Sequence, residues 1–298
     1  MQALFRDIFR NFATNGRPNQ SCRFHPRFSV KNPFMNHDRE HNRRAWNDRV
    51  RQRKTHTGPA SERDFQNPWA VLDECGWLEK DLRGKRVLCL AAGGGKHGVL
   101  FAAVGAQVTV VDLSPAMLAL DRTIAQERGL KLEVVQTSMD DLSMFAPGFF
   151  DLVIQPVSTC YLPDVRAVYQ QVARVVAPGS LYISQHKQPA SLQADLLPSP
   201  RGYLLHEPYY RTGPLPGVVE GCPHREAGTL EFLHRLEDLL GGLCQSGFVI
   251  EDLLEPRHAD PRAEPGTFQR RCLFLPPYLT VKARRISASS EVAKIWMP

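Results

Sequence analysis

The sequence predicts an α/β protein with a doubly wound, mostly parallel seven-stranded sheet and helices on both faces. Short apolar runs of strand length alternate with helical patterns, which favours parallel strands joined by crossover helices. The first run, residues 87–91, leads directly into Gly93, Gly94 and Gly95, and the second ends in Asp112. A buried strand, a glycine turn into a helix and a carboxylate at the tip of the next strand are typical of a nucleotide-binding βαβ unit.

Each element follows from a local pattern. Ser114 and Pro115 are typical of a helix start, and Gly129 of its end, while Pro163 opens a helix with an apolar stripe. The predicted strands are residues 87–91, 108–111, 132–136, 151–155, 181–185, 248–253 and 278–283. Further helices are predicted at residues 39–54, 68–82, 97–104 and 229–241.

The chain is predicted to divide into three parts. Residues 1–38 form a basic, proline-interrupted N-terminal arm that lacks a core-forming pattern, so we expect it to be a solvated tail, and we expect residues 1–34 to be dispensable. Residues 39–284 form the main folded domain, whose residues 39–82 supply N-terminal helices. Residues 187–228 are rich in proline, glycine and aromatic side chains and are expected to form an insertion or lid. Residues 285–298 form a C-terminal tail.

Composition narrows the possible partners. The formal net charge of +6 belongs mainly to the N-terminal arm, so nucleic-acid binding is disfavoured, although a basic arm leaves it open. The 7 cysteines are scattered without a CxxC pair, which favours reduced thiols in the cytoplasm. No apolar run has the length of a membrane span, and no secretion signal is recognisable. No metal site is predicted, since nothing completes the pair Cys222 and His224.

Five segments resemble the class I S-adenosylmethionine-dependent methyltransferases, in particular their small-molecule branch. They are residues 87–95, 112–118, 150–154, 177–179 and 247–252. The resemblance implies S-adenosyl-L-methionine as cofactor, an unidentified small-molecule acceptor, and a last strand that lies antiparallel between the fifth and sixth. The chain departs from the family where Ala91 and Ala92 replace the first residues of the glycine motif. It also departs where Ser138 stands in place of an acidic residue that contacts adenine.

The resemblance implies a set of cofactor-binding residues. They are Ala91, Ala92, Gly93, Gly94, Gly95, Asp112, Leu113, Ser114, Met117, Ser138, Met139, Asp140, Gln155 and Pro156. The acceptor side should be built from residues that follow the fourth and fifth strands, the insertion and the N-terminal helix. These candidates are Trp46, Tyr161, His186, Tyr209, Tyr210 and Arg211. His186 lies just past a strand end and is the candidate general base.

Two alternatives remain at this point. The spacing Gly93, Gly95, Gly98 formally matches a dinucleotide fingerprint, with Asp112 near the expected distance, which would fit an NAD(P)-dependent oxidoreductase. The substitutions Ala91 and Ala92 would fit a protein that binds S-adenosylmethionine without turnover. The oligomeric state is not predicted by any pattern.

Overall fold

The computed structural model describes residues 33–222 and 224–286 of the chain. The expectations for the N-terminal arm up to residue 32 and for the C-terminal tail from residue 287 lie outside the described residues. Helix α1 already begins at Pro33, inside the stretch assigned to the arm.

The predicted sheet is confirmed, with seven strands in the order β3-β2-β1-β4-β5-β7-β6. The strands are β1 (Arg86–Leu90), β2 (Gln107–Asp112), β3 (Leu132–Gln136), β4 (Phe150–Gln155), β5 (Val176–Lys187), β6 (Phe248–Leu254) and β7 (Tyr278–Arg285). Strands β3, β2, β1, β4 and β5 pair in parallel, and β7 runs antiparallel to both β5 and β6. The carboxyl ends of the five parallel strands and the amino end of β7 therefore share one edge of the sheet.

Helices cover both faces of the sheet. They are α1 (Pro33–Arg51), α2 (Glu62–Gln66), α3 (Trp69–Leu72), α4 (His97–Ala103), α5 (Pro115–Glu127), α6 (Val165–Val175), α7 (Pro189–Gln193), α8 (Gly242–Gln245, preceded by a π-helical turn at Glu237–Gly241) and α9 (Phe268–Arg271). The Ser114 hydroxyl accepts from the Met117 amide and caps α5, as expected for serine followed by proline. One core cluster packs α4 and α5 against the sheet, and another packs α6 and α8.

The predicted helix 229–241 is wrong in its first half. Residues 229–235 are not helical, and they contact α1 and the turn after β4. The Leu230 amide donates to the Asn42 side chain, and the Phe232 amide donates to the Cys160 carbonyl. These long-range hydrogen bonds replace the local ones that a helix would need, and helix begins only near Leu236.

Among the described residues, no helix combines the length and the apolar character that crossing a bilayer requires.

Candidate functional site

A cavity of about 580 Å³ lies along the edge where the parallel strands end. It extends from Asp112 at the tip of β2, past the glycine loop after β1, to Lys187 at the end of β5 and Tyr278 at the start of β7. Ligands in open α/β sheets bind outside the carboxyl ends of the strands, so this is the expected place for a site. The predicted residues that line the cavity are Trp46, Ala91, Ala92, Gly93, Gly94, Asp112, Leu113, Met117, Ser138, Met139, Pro156 and Tyr161.

The glycine loop after β1 is held in an unusual backbone conformation. Ala91 has φ 48°, Gly94 has φ 120° and Gly95 has φ 71°. Such values favour glycine, so Ala91 carries a strain of about 1–2 kcal/mol that its surroundings must offset. A Cβ on Gly93 would come within 3.0 Å of Asp112 Oδ2 and 2.9 Å of Met117 Cβ, so this position has no room for a side chain.

Asp112 both supports the loop and faces the cavity. Its Oδ2 accepts from the Gly93 amide at 3.0 Å and its Oδ1 accepts from the Ser114 amide at 2.8 Å. Burial raises the pKa of Asp112 to about 6, although these backbone amides oppose the shift. Above that pH the carboxylate is mostly ionised and can accept further hydrogen bonds from hydroxyl groups of a ligand.

Ser138 and Met139 reach the cavity from the segment after β3, but Asp140 does not. The Asp140 carboxylate pairs instead with the guanidinium of Arg39 on α1 and accepts from the Ser138 hydroxyl. The acidic residue therefore orders Ser138 and the N-terminal helix from outside the cavity.

Three further predicted cofactor residues stand behind the cavity wall. Gln155 is buried and its amide donates to the Ser158 hydroxyl at 2.9 Å, while Ser114 caps α5 and donates to Asn47 at 2.7 Å. A Cβ on Gly95 would meet the Leu120 carbonyl at 3.1 Å, so this glycine approaches α5. For Gly95, Ser114 and Gln155 the structure places the residue in support of the lining, without contact to the cavity.

Aromatic side chains and α1 form the other end of the cavity. Trp46 packs edge-to-face on Tyr161, with ring centroids 5.5 Å apart. The Asn42 amide donates to the carbonyls of Tyr161 and Leu230 at 2.9 and 3.0 Å. Helix α1 is thereby fixed against the turn after β4.

A buried cluster of charges adjoins these aromatic residues. The Lys187 ammonium donates to Glu226 Oε2 at 2.7 Å and to Glu231 Oε1 at 3.1 Å. Glu226 Oε2 also accepts from the Tyr161 hydroxyl at 2.8 Å, and Arg225 donates to Glu231 Oε2 at 2.9 Å. Two cations and two carboxylates therefore form a compact, formally neutral network that bridges β5 and the end of the insertion.

The pKa values of Lys187 and Glu226 keep these two groups charged, whereas burial raises the pKa of Glu231. Burial lowers the pKa of Lys187, but the Cys160 thiol and the Glu226 and Glu231 carboxylates outweigh burial and leave it above its usual value. Burial raises the pKa of Glu226, yet the Lys187 ammonium and the hydrogen bonds around it lower it to about 2. At neutral pH the cavity thus presents a protonated lysine and an ionised glutamate.

His186, the candidate general base, lies away from the cavity. Side chains alternate along β5, so Gln185 and Lys187 face the cavity while His186 faces the opposite way with Ser184. His186 is fully buried, and its Nδ1 lies 2.9 Å from the Thr159 hydroxyl. Burial lowers the pKa of His186 to about 3, which keeps the imidazole neutral.

The three acceptor candidates from the insertion also lie away from the cavity. Tyr209 packs in a small separate cluster, and its hydroxyl accepts from the Leu236 amide at 3.0 Å. Tyr210 is 75% exposed, and Arg211 pairs with Glu207 at 2.8 Å. Tyr210 and Arg211 line a second, smaller cavity of about 420 Å³ instead. Their sequence position in a long loop did not determine which face of that loop they occupy.

Residues 88–184 match a family model described as a methyltransferase domain. The uncharacterized methyltransferase YbaJ of Bacillus subtilis (strain 168) is 36% identical over 181 residues, which cover 59% of this chain and 70% of that protein. The chain belongs to the S-adenosylmethionine-dependent methyltransferases.

Other relatives of the methyltransferase match less of the chain. A ubiquinone biosynthesis O-methyltransferase of Xanthomonas euvesicatoria is 34% identical over 105 residues, and the match spans 44% of that relative. A solved S-adenosylmethionine dependent methyltransferase from Mesorhizobium loti is 24% identical with a TM-score of 0.58, covering 74% of this chain and all of that one. Geranyl diphosphate C-methyltransferase from Streptomyces coelicolor A3(2) is 16% identical with a TM-score of 0.54, covering 87% of this chain and 100% of that one. These structures show the shared fold.

The oxidoreductase alternative is not supported for this methyltransferase. Strand β7 lies antiparallel between β5 and β6, whereas the dinucleotide fold has six strands in the order 3-2-1-4-5-6. The third glycine of the fingerprint, Gly98, is explained by packing, because its Cβ would come within 2.3 Å of Val110 on β2.

Sequence reasoning missed several residues that line the methyltransferase cavity. The most informative are Lys187, which follows His186 in the sequence, and Glu226, which contacts Tyr161. A charged residue at the end of an apolar strand was the available signal for Lys187. His56 and Tyr278 also line the cavity, and His56 has the left-handed φ of 66°. No local pattern distinguishes His56 from an ordinary loop residue, or Tyr278 from an ordinary first residue of a strand.

Proposed function

We propose that this methyltransferase transfers the methyl group of S-adenosyl-L-methionine to a small organic acceptor, with both molecules held in the 580 Å³ cavity. The observation that carries the proposal is the continuity of the cavity from Asp112 on β2 to Tyr278 on β7. These two strands stand four places apart in the sheet, which corresponds to about 19 Å at the usual strand spacing. A cavity of this length and volume suits two small molecules laid end to end.

The cofactor is assigned to the end of the cavity formed by β2, β1 and β4. Asp112 accepts hydrogen bonds from the ribose hydroxyls, and the backbone of Gly93 and Gly94 lies against the cofactor. The walls on this side are Ala91, Ala92, Leu113, Met117, Ser138, Met139 and Pro156. The donor set fits the group, because it combines a cavity-facing carboxylate with apolar and backbone surfaces where a nucleoside would lie.

The acceptor is assigned to the end formed by β4, β5 and β7. Trp46, Tyr161 and Tyr278 supply aromatic walls. Glu226 Oε2 is engaged by Tyr161 and Lys187, whereas no hydrogen bond reaches its Oε1 from the residues that the structure describes. This ionised oxygen can accept a hydrogen bond from a hydroxyl or N–H group of the acceptor. An acceptor with a carboxylate or phosphate at this position would be repelled.

The chain's main contribution to the reaction is alignment and the exclusion of water. Bound S-adenosyl-L-methionine supplies a methyl group that is already activated for displacement. Holding two reactants in line can lower a barrier by about 7–11 kcal/mol. Lys187 is protonated and Glu226 has a pKa of about 2, so neither removes a proton at neutral pH. His56, whose Nε2 lies 3.8 Å from Glu226 Oε1, is the residue that we assign to take up a proton at the cavity mouth.

Only the C-terminal end of the insertion is proposed to act as the lid. Glu226 lines the cavity, while Tyr209, Tyr210 and Arg211 do not, so residues 224–228 are proposed as the cover of the acceptor end. The ion pair with Lys187 ties this segment to β5, and the contact of His41 with the Gly228 carbonyl at 2.9 Å ties it to α1.

The test is a search for the acceptor with a methyl-labelled donor. The purified chain is incubated with fractionated cell extract, and labelled products are separated into small molecules, RNA and protein, with Asp112→Ala as the control. Label in the small-molecule fraction that depends on Asp112 supports the proposal. Label in RNA or protein contradicts the proposed acceptor class. Donor binding without any labelled product would favour a protein that binds S-adenosylmethionine without turnover.

A further inference from the structure

Helix α5 carries a carboxylate in the middle of its buried face. The buried residues of this helix are Met117, Leu118, Asp121 and Ala125, which form one stripe at helical spacing. Asp121 is fully buried. No cationic side chain of the described residues pairs with it, and a buried charge without a cation is costly. A position of this kind would be expected to hold an apolar residue.

The side chain of Asp121 points at the glycine loop. Its Oδ2 accepts from the Gly94 amide at 2.9 Å, an N–H that also points to the Met117 carbonyl at 3.1 Å. Its Oδ1 has no hydrogen-bond partner although it is buried. The adjacent amide, that of Gly93, is held by Asp112. Two successive amides of the loop are therefore fixed by two different carboxylates.

The loop needs such support because its conformation is strained. Ala91 and Gly94 both have positive φ, and alanine in this region is held only where its surroundings impose it. Asp112 contacts the loop from the cavity side. Asp121 contacts it from beneath, through α5, and does not line the cavity.

We infer that Asp121 is a positioning residue, which holds the Gly94 amide so that the glycine loop keeps the shape that binds S-adenosyl-L-methionine. This inference rests on the proposed cofactor site and adds a residue to it that touches neither ligand. Burial together with the nearby Asp112 carboxylate raises the pKa of Asp121 to about 7, although the Gly94 and Gly95 amides oppose the shift. Burying a carboxylate without a cationic partner lowers the stability of the fold, so Asp121 is explained by a role in function and not in stability.

The inference separates cofactor affinity from stability. Asp121→Ala removes the acceptor oxygen and should raise the dissociation constant for S-adenosylhomocysteine about tenfold. Asp121→Asn keeps an acceptor oxygen in the same volume and should stay within about threefold of the unaltered chain. Because Asn also removes the buried charge, its melting temperature at pH 8 should be equal or higher.

The experiment is calorimetric titration with S-adenosylhomocysteine, beside thermal unfolding, for the full-length chain and its variants. Leu118→Ala is the matched control, since Leu118 is fully buried in the same helix and belongs to a core cluster. It should lower the melting temperature and leave the affinity unchanged. The inference would be overturned by wild-type affinity in Asp121→Ala, or by equal losses of affinity in the Ala and Asn variants of Asp121. It would also be overturned if Leu118→Ala lost affinity in proportion to its loss of melting temperature.

Asp112→Ala is measured in the same series to separate this inference from the proposed site. If Asp112→Ala binds normally, the cofactor site itself is misassigned. If Asp112→Ala loses affinity while Asp121→Ala keeps it, only the role of Asp121 is refuted. A tenfold loss in Asp121→Ala that is rescued by Asn supports the positioning role.

Discussion

The two ends of the cavity are built from different kinds of interaction. At the cofactor end, backbone amides of the glycine loop are held by Asp112 and Asp121, which lie near the loop in sequence. At the acceptor end, Lys187 and Glu226 come from β5 and the insertion and meet Tyr161 from the turn after β4. The cofactor end is therefore a local motif, whereas the acceptor end exists only once distant segments have packed.

The largest effect on cofactor binding should come from adding a side chain to the glycine loop, where its backbone lies close to Asp112 and Met117. Gly93→Val should abolish binding of S-adenosylhomocysteine, since a Cβ there meets Asp112 and Met117 at about 3 Å. Gly213→Val is the control, because nothing lies within 4 Å of its Cβ and its φ is not positive. Calorimetry on both folded variants checks this. Normal binding by Gly93→Val would place the cofactor elsewhere.

Gly95→Val should behave differently from Gly93→Val. Its side chain would meet the Leu120 carbonyl of α5 at 3.1 Å, and its φ of 71° disfavours valine. We therefore expect a lower melting temperature, with lost binding as a consequence of the displaced helix. Unchanged thermal unfolding together with lost binding would show that Gly95 faces the cofactor after all.

Single substitutions of the two cavity carboxylates should separate the two ends. Asp112→Ala removes the proposed acceptor for the ribose hydroxyls and should cost about 1.5–3 kcal/mol of cofactor binding. Glu226→Gln should leave that affinity unchanged and lower turnover on the acceptor by at least about tenfold. Titration with S-adenosylhomocysteine and the labelled-donor assay give the two readings. Loss of cofactor affinity in Glu226→Gln would show that Glu226 also contributes to cofactor binding, so that the two ends do not act separately.

The charged network predicts a specific pH dependence of stability. The folded-state pKa of Glu226 lies at about 2, below its usual value of 4.5, so its contribution is present above about pH 4.5 and is lost as the pH falls toward 2. Urea unfolding from pH 7 to pH 3 should show this decline in the unaltered chain, and a shallower one in Glu226→Gln. Equal slopes for both would mean that Glu226 is not paired with Lys187 in solution.

Removing the cation should be more damaging to the fold than removing either carboxylate. Lys187→Met leaves Glu226 and Glu231 buried without their ammonium partner, which should cost about 3–5 kcal/mol of unfolding free energy. Lys282→Met is the matched control on the neighbouring strand β7, because its partner Glu251 is more accessible and also pairs with Arg284. A similar small loss in both variants would show that the network contributes little.

The smallest effect on activity is expected at His186. His186→Gln should change turnover by less than about threefold, because the imidazole faces away from the cavity and the substitution alters its buried hydrogen bonds to Thr159, Ser184 and Tyr169. A pH–rate profile of the variant should match that of the unaltered chain. A loss of turnover with normal melting temperature would restore His186 as the base.

Much of the cofactor end could be read from the sequence because its determinants are local. Strand length, the glycine run, Ser114 with Pro115, and Asp112 all act within about thirty residues, so their pattern predicted the βαβ unit and the sheet class. The resemblance added the order of the last strands, which the structure confirms. Asp121 escaped notice, although a carboxylate within an apolar helical stripe was a signal in the sequence.

The acceptor end was decided by tertiary structure. Whether His186 or Lys187 faces the cavity depends on the register of β5 in the sheet, since a shift of one residue exchanges the two faces. The non-helical path of residues 229–235 depends on Asn42 in α1 and on the buried ion pairs of Glu231, contacts that local propensity does not contain. The sequence by itself determined the fold class and predicted the place proposed for the cofactor, because those follow from short-range patterns. Only long-range packing determined which side chains line the end of the cavity proposed for the acceptor, because they come from α1, β5, β7 and the insertion and share no local pattern.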